Sequence, residues 1–247
     1  MIIYSKPRHI LDEISYIILP GKLPVDSPLI EMHNQAFDYW CQFWGKVFED
    51  NGVDPSLRYK DEFCRKELVC LLLHKGKIVG MHLCDFLNLN QSAFREHEYF
   101  SHHKGDTFLE TLDRKRISHA MIMTYLTIDP EWRKKKVGVS LASVLMSLAT
   151  KLQCAAGAEV NLGRAREDVG VDSILTDLGG VVLQDRLPMH NTPISIICIY
   201  SDKVKELSDL RARHFVEKFW KKRTDHSERS YSFQSSVNAV QFLKKAE

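Results

Sequence analysis

From Ile122 to Leu152 the chain passes from an apolar run ending in Thr127-Ile128-Asp129-Pro130, through the basic turn Glu131-Trp132-Arg133-Lys134-Lys135-Lys136-Val137-Gly138, into a long amphipathic segment. A strand that feeds a basic turn and a helix N-terminus makes an anion site. The first amides of a helix lack intrahelical acceptors and carry the positive end of its dipole, which suits a phosphate group. Val137, Leu141, Val144, Leu148 and Leu152 recur at three or four residues, so one stripe of that helix is buried and the basic residues sit at its mouth. A Lys-rich turn before a helix, taken alone, also fits a plain solvated surface.

The pattern resembles the central motif of the GNAT superfamily of N-acyltransferases: a strand, Pro, an aromatic, and Arg/Gln-x-x-Gly-x-Gly/Ala opening a helix. Pro130, Trp132, Arg133, Gly138 and Leu141 match in register, and the first motif glycine falls on Lys136. The resemblance implies an α/β fold with a mixed sheet, a central insertion and a C-terminal helical extension. It further implies an acyl-CoA-dependent N-acyltransferase, with acetyl-CoA or another acyl-CoA as cosubstrate, no metal, and a small-molecule or peptide amine as acceptor. By the same resemblance Leu126 and Ile128 offer backbone groups to the pantetheine arm. Arg133, Lys134, Lys135, Lys136, Val137, Gly138, Val139 and Ser140 meet the pyrophosphate. Asp168 falls where many members have asparagine, and Leu175 where many have a tyrosine that protonates the leaving thiolate. Related signal-lipid synthases take long acyl chains from acyl carrier protein, which keeps that donor open, and a catalytically inactive binding domain is a third reading.

The order of elements from about Ser27 to Tyr200 follows the same superfamily. Ser27-Pro28 starts a helix carrying Ile30, His33, Phe37, Trp40, Trp44 and Phe48, which ends at Gly52. A shorter helix is expected over Leu57 to Lys66. Glu67 to His74 and Lys77 to Leu87 flank Lys75-Gly76 as a hairpin. Asn88 to Ser118, with His97, His102 and His103, is a long insertion of the kind that shapes an acceptor pocket. Those histidines lack a second ligand cluster at useful spacing. Glu159 to Gly163 reads as a strand, Val171 to Leu178 as a helix, and Val181 to Leu183 and Ile194 to Tyr200 as closing strands around the turn-rich segment from Pro188 to Pro193.

Residues 1–222 read as one domain and 223–247 as a polar linker with a last short helix. Hydrophobic residues make up 44% of the 247, enough for a sizeable core, while a net charge of +2 is too small to suggest nucleic acid. Six cysteines without Cys-x-x-Cys spacing are expected as reduced core thiols. No run approaches the ~20 apolar residues of a membrane span, and no signal-peptide pattern opens the chain, so a cytoplasmic protein without integral membrane association is the expectation. Val204 to Lys222 mixes aromatic and basic residues and suits docking on its own domain, a partner or a membrane surface.

Candidate catalytic groups follow from strand alternation. His119, Met121, Met123, Tyr125 and Thr127 share one face, so Tyr125 and His119 are expected to meet the acceptor together. Asp85 shares a face with Val79, Met81 and Leu83, and His82 takes the opposite face with Ile78. A carboxylate buried among apolar neighbours holds its proton more tightly, which would suit Asp85 as a base.

Overall fold

The computed structural model describes residues 10–57, 60–101 and 107–227, with Leu57, Glu98, Ser101, Thr107, Phe108, Lys135 and Lys136 described by their backbone. Strand β1 (Ile14–Pro20) leads to helix α1 (Ile30–Asp50), which starts two residues after Pro28 with the Leu29 amide donating to Ser27 Oγ at 3.2 Å. A 3-10 turn at Pro55–Leu57 and the one-turn helix α2 (Glu62–Arg65) replace the longer helix expected over Leu57 to Lys66. The hairpin β2 (Leu68–His74) and β3 (Lys77–Asn88) turns at Lys75-Gly76 as read from the sequence. The insertion folds into α3 (Ser92–Arg95), α4 (Glu98–Ser101) and α5 (Thr107–Arg114), while His102 and His103 lie outside the described residues. Then come β4 (His119–Ile128), the single turn α6 (Lys134–Val137), α7 (Leu141–Ala156), β5 (Val160–Arg166), α8 (Val171–Asp177), β6 (Val181–Met189), β7 (Thr192–Tyr200), α9 (Leu210–Lys221) and β8 (Thr224–Asp225).

The strands form one mixed sheet in the order β6-β7-β5-β4-β3-β2-β1-β8. Neighbours run antiparallel except the β4–β5 and β1–β8 pairs, which are parallel. This mixed α/β sheet is the fold class expected from the sequence. Helix α7 carries the predicted stripe: Leu141, Val144, Leu148 and Leu152 are buried against the sheet, joined by Val137 and Val139. Ser140 caps it by accepting from the Ser143 amide at 3.2 Å, and Gly157 at φ +75° closes it in the left-handed region a glycine adopts without strain.

Helix α9 packs on α7 through Ala212, Phe215, Val216 and Phe219, so the aromatic and basic C-terminal segment docks on its own domain. Thr224–Asp225 then pairs with β1, and residues 228–247, where the sequence suggests the last short helix, lie outside the described residues. On the opposite face, Leu89, Tyr99, Phe100 and Leu112 of the insertion cover Ala120, Ile122, Leu162 and Cys198. None of the described residues of the insertion lines either cavity described below. All six cysteines are free thiols, and Cys64 and Cys154 are exposed where core positions were expected. No helix among the described residues is long and apolar enough to cross a membrane.

Candidate active site

Parallel pairing of β4 with β5 runs from Ala120 opposite Val160 to Met123 opposite Gly163 and stops there, although both strands continue. The cause is local. Between Met81 opposite Thr127 and Leu83 opposite Thr124 the β3–β4 register slips by one residue, and Tyr125 takes φ +57° at the slip. A bulge bends the strand and frees its backbone groups from the ladder. It is pinned from α1: Trp44 Nε1 donates to Thr127 Oγ1 at 2.9 Å, and that hydroxyl donates to the Tyr125 carbonyl at 2.8 Å. Trp40 and Trp44 each meet the Tyr125 ring edge-to-face, with centroids 5.1 and 5.0 Å away.

This bulge overturns the strict alternation expected for β4. Met121 and Met123 pack under α7, whereas Tyr125 and Thr127 turn to the α1 side. His119 stays at the start of β4, where its amide donates to Glu159 at 2.9 Å and its ring lies 3.9 Å from that carboxylate. It lines neither cavity described below, so His119 and Tyr125 are not brought together. A second slip, between Leu72 and Leu73 of β2, puts Val79 on the α7 side, apart from Met81, Leu83 and Asp85.

Asp85 is buried but charge-paired, contrary to the apolar setting expected for it. Its Oδ2 lies 2.9 Å from Lys66 Nζ, and its Oδ1 accepts the Glu67 amide at 3.2 Å. Lys66 also reaches Glu62 Oε1 at 3.2 Å, and the other Glu62 oxygen accepts from the Tyr125 hydroxyl. Tyr125, Glu62, Lys66 and Asp85 thus form one hydrogen-bonded chain from the bulge into the core. Burial alone would push the Lys66 ammonium down, but the Asp85 and Glu62 carboxylates outweigh it and hold the lysine above its usual range.

Where the strands part, a cavity of about 530 Å³ opens between β4 and β5. Leu126 and Ile128 form one wall, Gly163, Arg164 and Arg166 the other, and Arg133, Lys134, Ser140, Leu141 and Ala142 one end. Gly138, at φ +72°, ends the α6 turn, so the long helix begins after the Ser140 cap and not within the basic run. Val137 and Val139 point into the core and do not line the cavity. An Arg211 guanidinium from α9 comes within 3.9 Å of where a Gly138 Cβ would stand. Leu175 caps the cavity wall near Gly163 and is buried. Asp168 is clasped by Arg166 at 2.5 and 3.0 Å, which holds its carboxyl below the usual range, and it does not itself line the cavity.

A smaller cavity of about 130 Å³ shares Trp44, Tyr125, Arg164 and Arg166 with the first and adds Glu62, Phe48, Asn51 and His190. The β6–β7 turn closes it, with the His190 ring 4.6 Å from that of Phe48 and Asn191 Nδ2 donating to the Asn51 carbonyl at 3.0 Å. Arg164 Nη2 donates to the Tyr99 carbonyl at 2.8 Å, and its guanidinium lies 4.6 Å from the Tyr99 ring centroid. Tyr99 is how the insertion reaches the site. Glu62, Lys66, Trp44 and the two arginines escaped the sequence reading. Two arginines alternating on β5 and the i, i+4 spacing of Glu62 and Lys66 were the local signals for them.

No protein-family model matches the chain, and no curated protein sequence does. Solved structures do. A putative arylalkylamine N-acetyltransferase 7 of the yellow fever mosquito Aedes aegypti aligns over 76% of this chain and 88% of its own, with TM-score 0.53 and 15% identity. FeeM, an N-acyl amino acid synthase from uncultured soil microbes, aligns over 80% and 97% with TM-score 0.52 and 10% identity. BjaI, a CoA-dependent acyl-homoserine lactone synthase, aligns over 86% and 93% with TM-score 0.51 and 10% identity. At such identities the likeness is one of fold, and the fold is that of the GNAT superfamily.

Proposed function

We propose that this protein is an N-acyltransferase that moves an acyl group from a CoA thioester to a primary amine. The parting of β4 from β5 beyond Met123 and Gly163, with a basic loop at one end of the resulting cavity, carries the reading. Backbone groups of Tyr125 and Leu126, outside the β3 ladder, suit the amides of a pantetheine arm. Arg133, Lys134 and the backbone of residues 135–140 suit the diphosphate, with Arg211 near enough to add charge.

The acceptor enters from the smaller cavity. Glu62 attracts its ammonium, which loses one proton to solvent to free its lone pair, and Glu62 takes the second proton as the nitrogen attacks the thioester carbonyl, directly or across the Tyr125 hydroxyl. The C–N bond forms, the thioester C–S bond breaks, and the departing thiolate takes a proton from solvent, which leaves an amide and a thiol. The thiolate of a group with pKa near ~8.5 departs readily, so Leu175 in place of a phenol is compatible with turnover. Glu62 on one side of the cavity and the Arg164 guanidinium on the other favour an acceptor that carries both an amine and an acidic group, as an amino acid does, while Arg166 is already paired with Asp168.

Thermal-shift titration with free CoA, acetyl-CoA and a long-chain acyl-CoA tests the donor half, with Lys135→Ala/Lys136→Ala beside the wild type. Stabilisation by a thioester, weakened in the variant, supports it. Absence of any shift, together with transfer only from an acylated carrier protein and loss of that transfer in salt, would reassign the donor. No transfer from either donor to any amine of a library that includes amino acids would sink the reading.

A further inference from the structure

Three soft donors meet in the core, away from both cavities. Cys70 on β2 stands opposite His82 on β3, and Cys84 follows His82 by two residues, so alternation puts all three on the face covered by α7 and α9. All are fully buried. A sulfur from each cysteine and an imidazole nitrogen lie within 4.8 Å of one another, and Cys84 Sγ is 3.3 Å from His82 Nδ1. His82 Nε2 has no hydrogen-bond partner. Burying an imidazole among apolar side chains costs desolvation that Leu or Val in this place would not. Packing therefore does not account for the imidazole.

Two thiols and an imidazole are the donor set of soft and borderline ions. Around a zinc ion with Zn–S near ~2.3 Å and Zn–N near ~2.0 Å, adjacent ligand atoms stand roughly 3.4–3.8 Å apart. The cysteine–histidine contact already has about that length, and the longest separation needs to close by roughly 1 Å, within reach of side-chain rotation. We propose that Cys70, His82 and Cys84 hold a Zn2+ or Cu+ ion. Each coordinating thiol gives up its proton to solvent as the ion binds. The ion ties β2 to β3 directly behind Asp85, whose side chain leaves the neighbouring position on the opposite face.

Elemental analysis of the full-length protein, purified without added metal from cultures supplied with zinc or with copper, tests this and distinguishes the two ions. About one equivalent per chain is expected, retained in Cys198→Ala and lost in Cys70→Ala/Cys84→Ala. Should the double variant fail to fold, wild type refolded with Co2+ and reductant must show a thiolate-to-cobalt charge-transfer band and a raised Tm. Folded wild type that carries no metal and develops no cobalt band overturns the proposal, as does metal content equal in the wild type and a folded double variant.

Discussion

Replacing Lys66 by Met tests whether the chain from Tyr125 to Asp85 is an electrostatic unit. Lys66 is 4% exposed and lies 2.9 Å from Asp85 and 3.2 Å from Glu62. At an effective dielectric of about 20, a charge at such a distance attracts an opposite one by roughly 5 kcal/mol before desolvation is counted. Methionine fills the same space but leaves Asp85, 7% exposed, without a cation. Breaking a buried pair in this way costs about 3–5 kcal/mol, and at roughly 2–4 °C per kcal/mol for a chain of this size Tm should fall by about 6–20 °C. Lys66→Met/Asp85→Leu should recover most of the loss, because the Glu67 amide keeps the Cys84 carbonyl at 3.0 Å and Glu62 keeps the Tyr125 hydroxyl. Urea unfolding of the wild type, both single variants and the double variant measures the coupling. A Lys66→Met loss below about 1 kcal/mol, or a double variant as unstable as the sum of the singles, refutes the unit.

Three further outcomes follow from the same geometry. Glu62→Gln should lower kcat by about 10²–10⁴, in steady-state assays with a saturating donor, and lower Tm by less than Lys66→Met because Asp85 still pairs with Lys66, if Glu62 takes the amine proton; an unchanged kcat removes it from the chemistry. The folded Lys66 ammonium lies above its unfolded value, so its contribution to stability is complete below about pH 10.4 and disappears as pH rises through the folded pKa; urea midpoints of the wild type should drop above that pH more steeply than those of Lys66→Met. Gly138→Ala forces a side chain into φ +72°, costing about 1–2 kcal/mol, and should raise the donor KM more than it lowers kcat; an unchanged KM would place the donor away from this turn.

The order of elements was legible because it rests on local signals. Lys75-Gly76 marked the hairpin turn, and the spacing of Val137, Leu141, Val144, Leu148 and Leu152 marked the face of α7. The split between α6 and α7 was hidden, since Lys134 to Val137 fit helical spacing and only the left-handed Gly138 and the Ser140 cap interrupt it. The polar chain was not legible at all. Its members come from positions 62, 66, 85 and 125, and only the i, i+4 pair Glu62 and Lys66 is close in sequence. Asp85 read alone looked like an isolated carboxylate because its cation arrives from another element.

Tyr125 shows why alternation failed where the chemistry is expected. Alternation assumes an unbroken ladder, and the one residue added opposite Met81 and Leu83 breaks it. The same residue then turns the Tyr125 ring between Trp40 and Trp44, sends its hydroxyl to Glu62 and ends the pairing of β4 with β5. A single bulge therefore both opens the cavity and aims the phenol. A left-handed tyrosine costs about 1–2 kcal/mol, and the hydrogen bonds from Trp44 to Thr127 and from Thr127 to the Tyr125 carbonyl offset it. Strain held at a site by its surroundings is the local inconsistency that a period-two reading of the strand must miss.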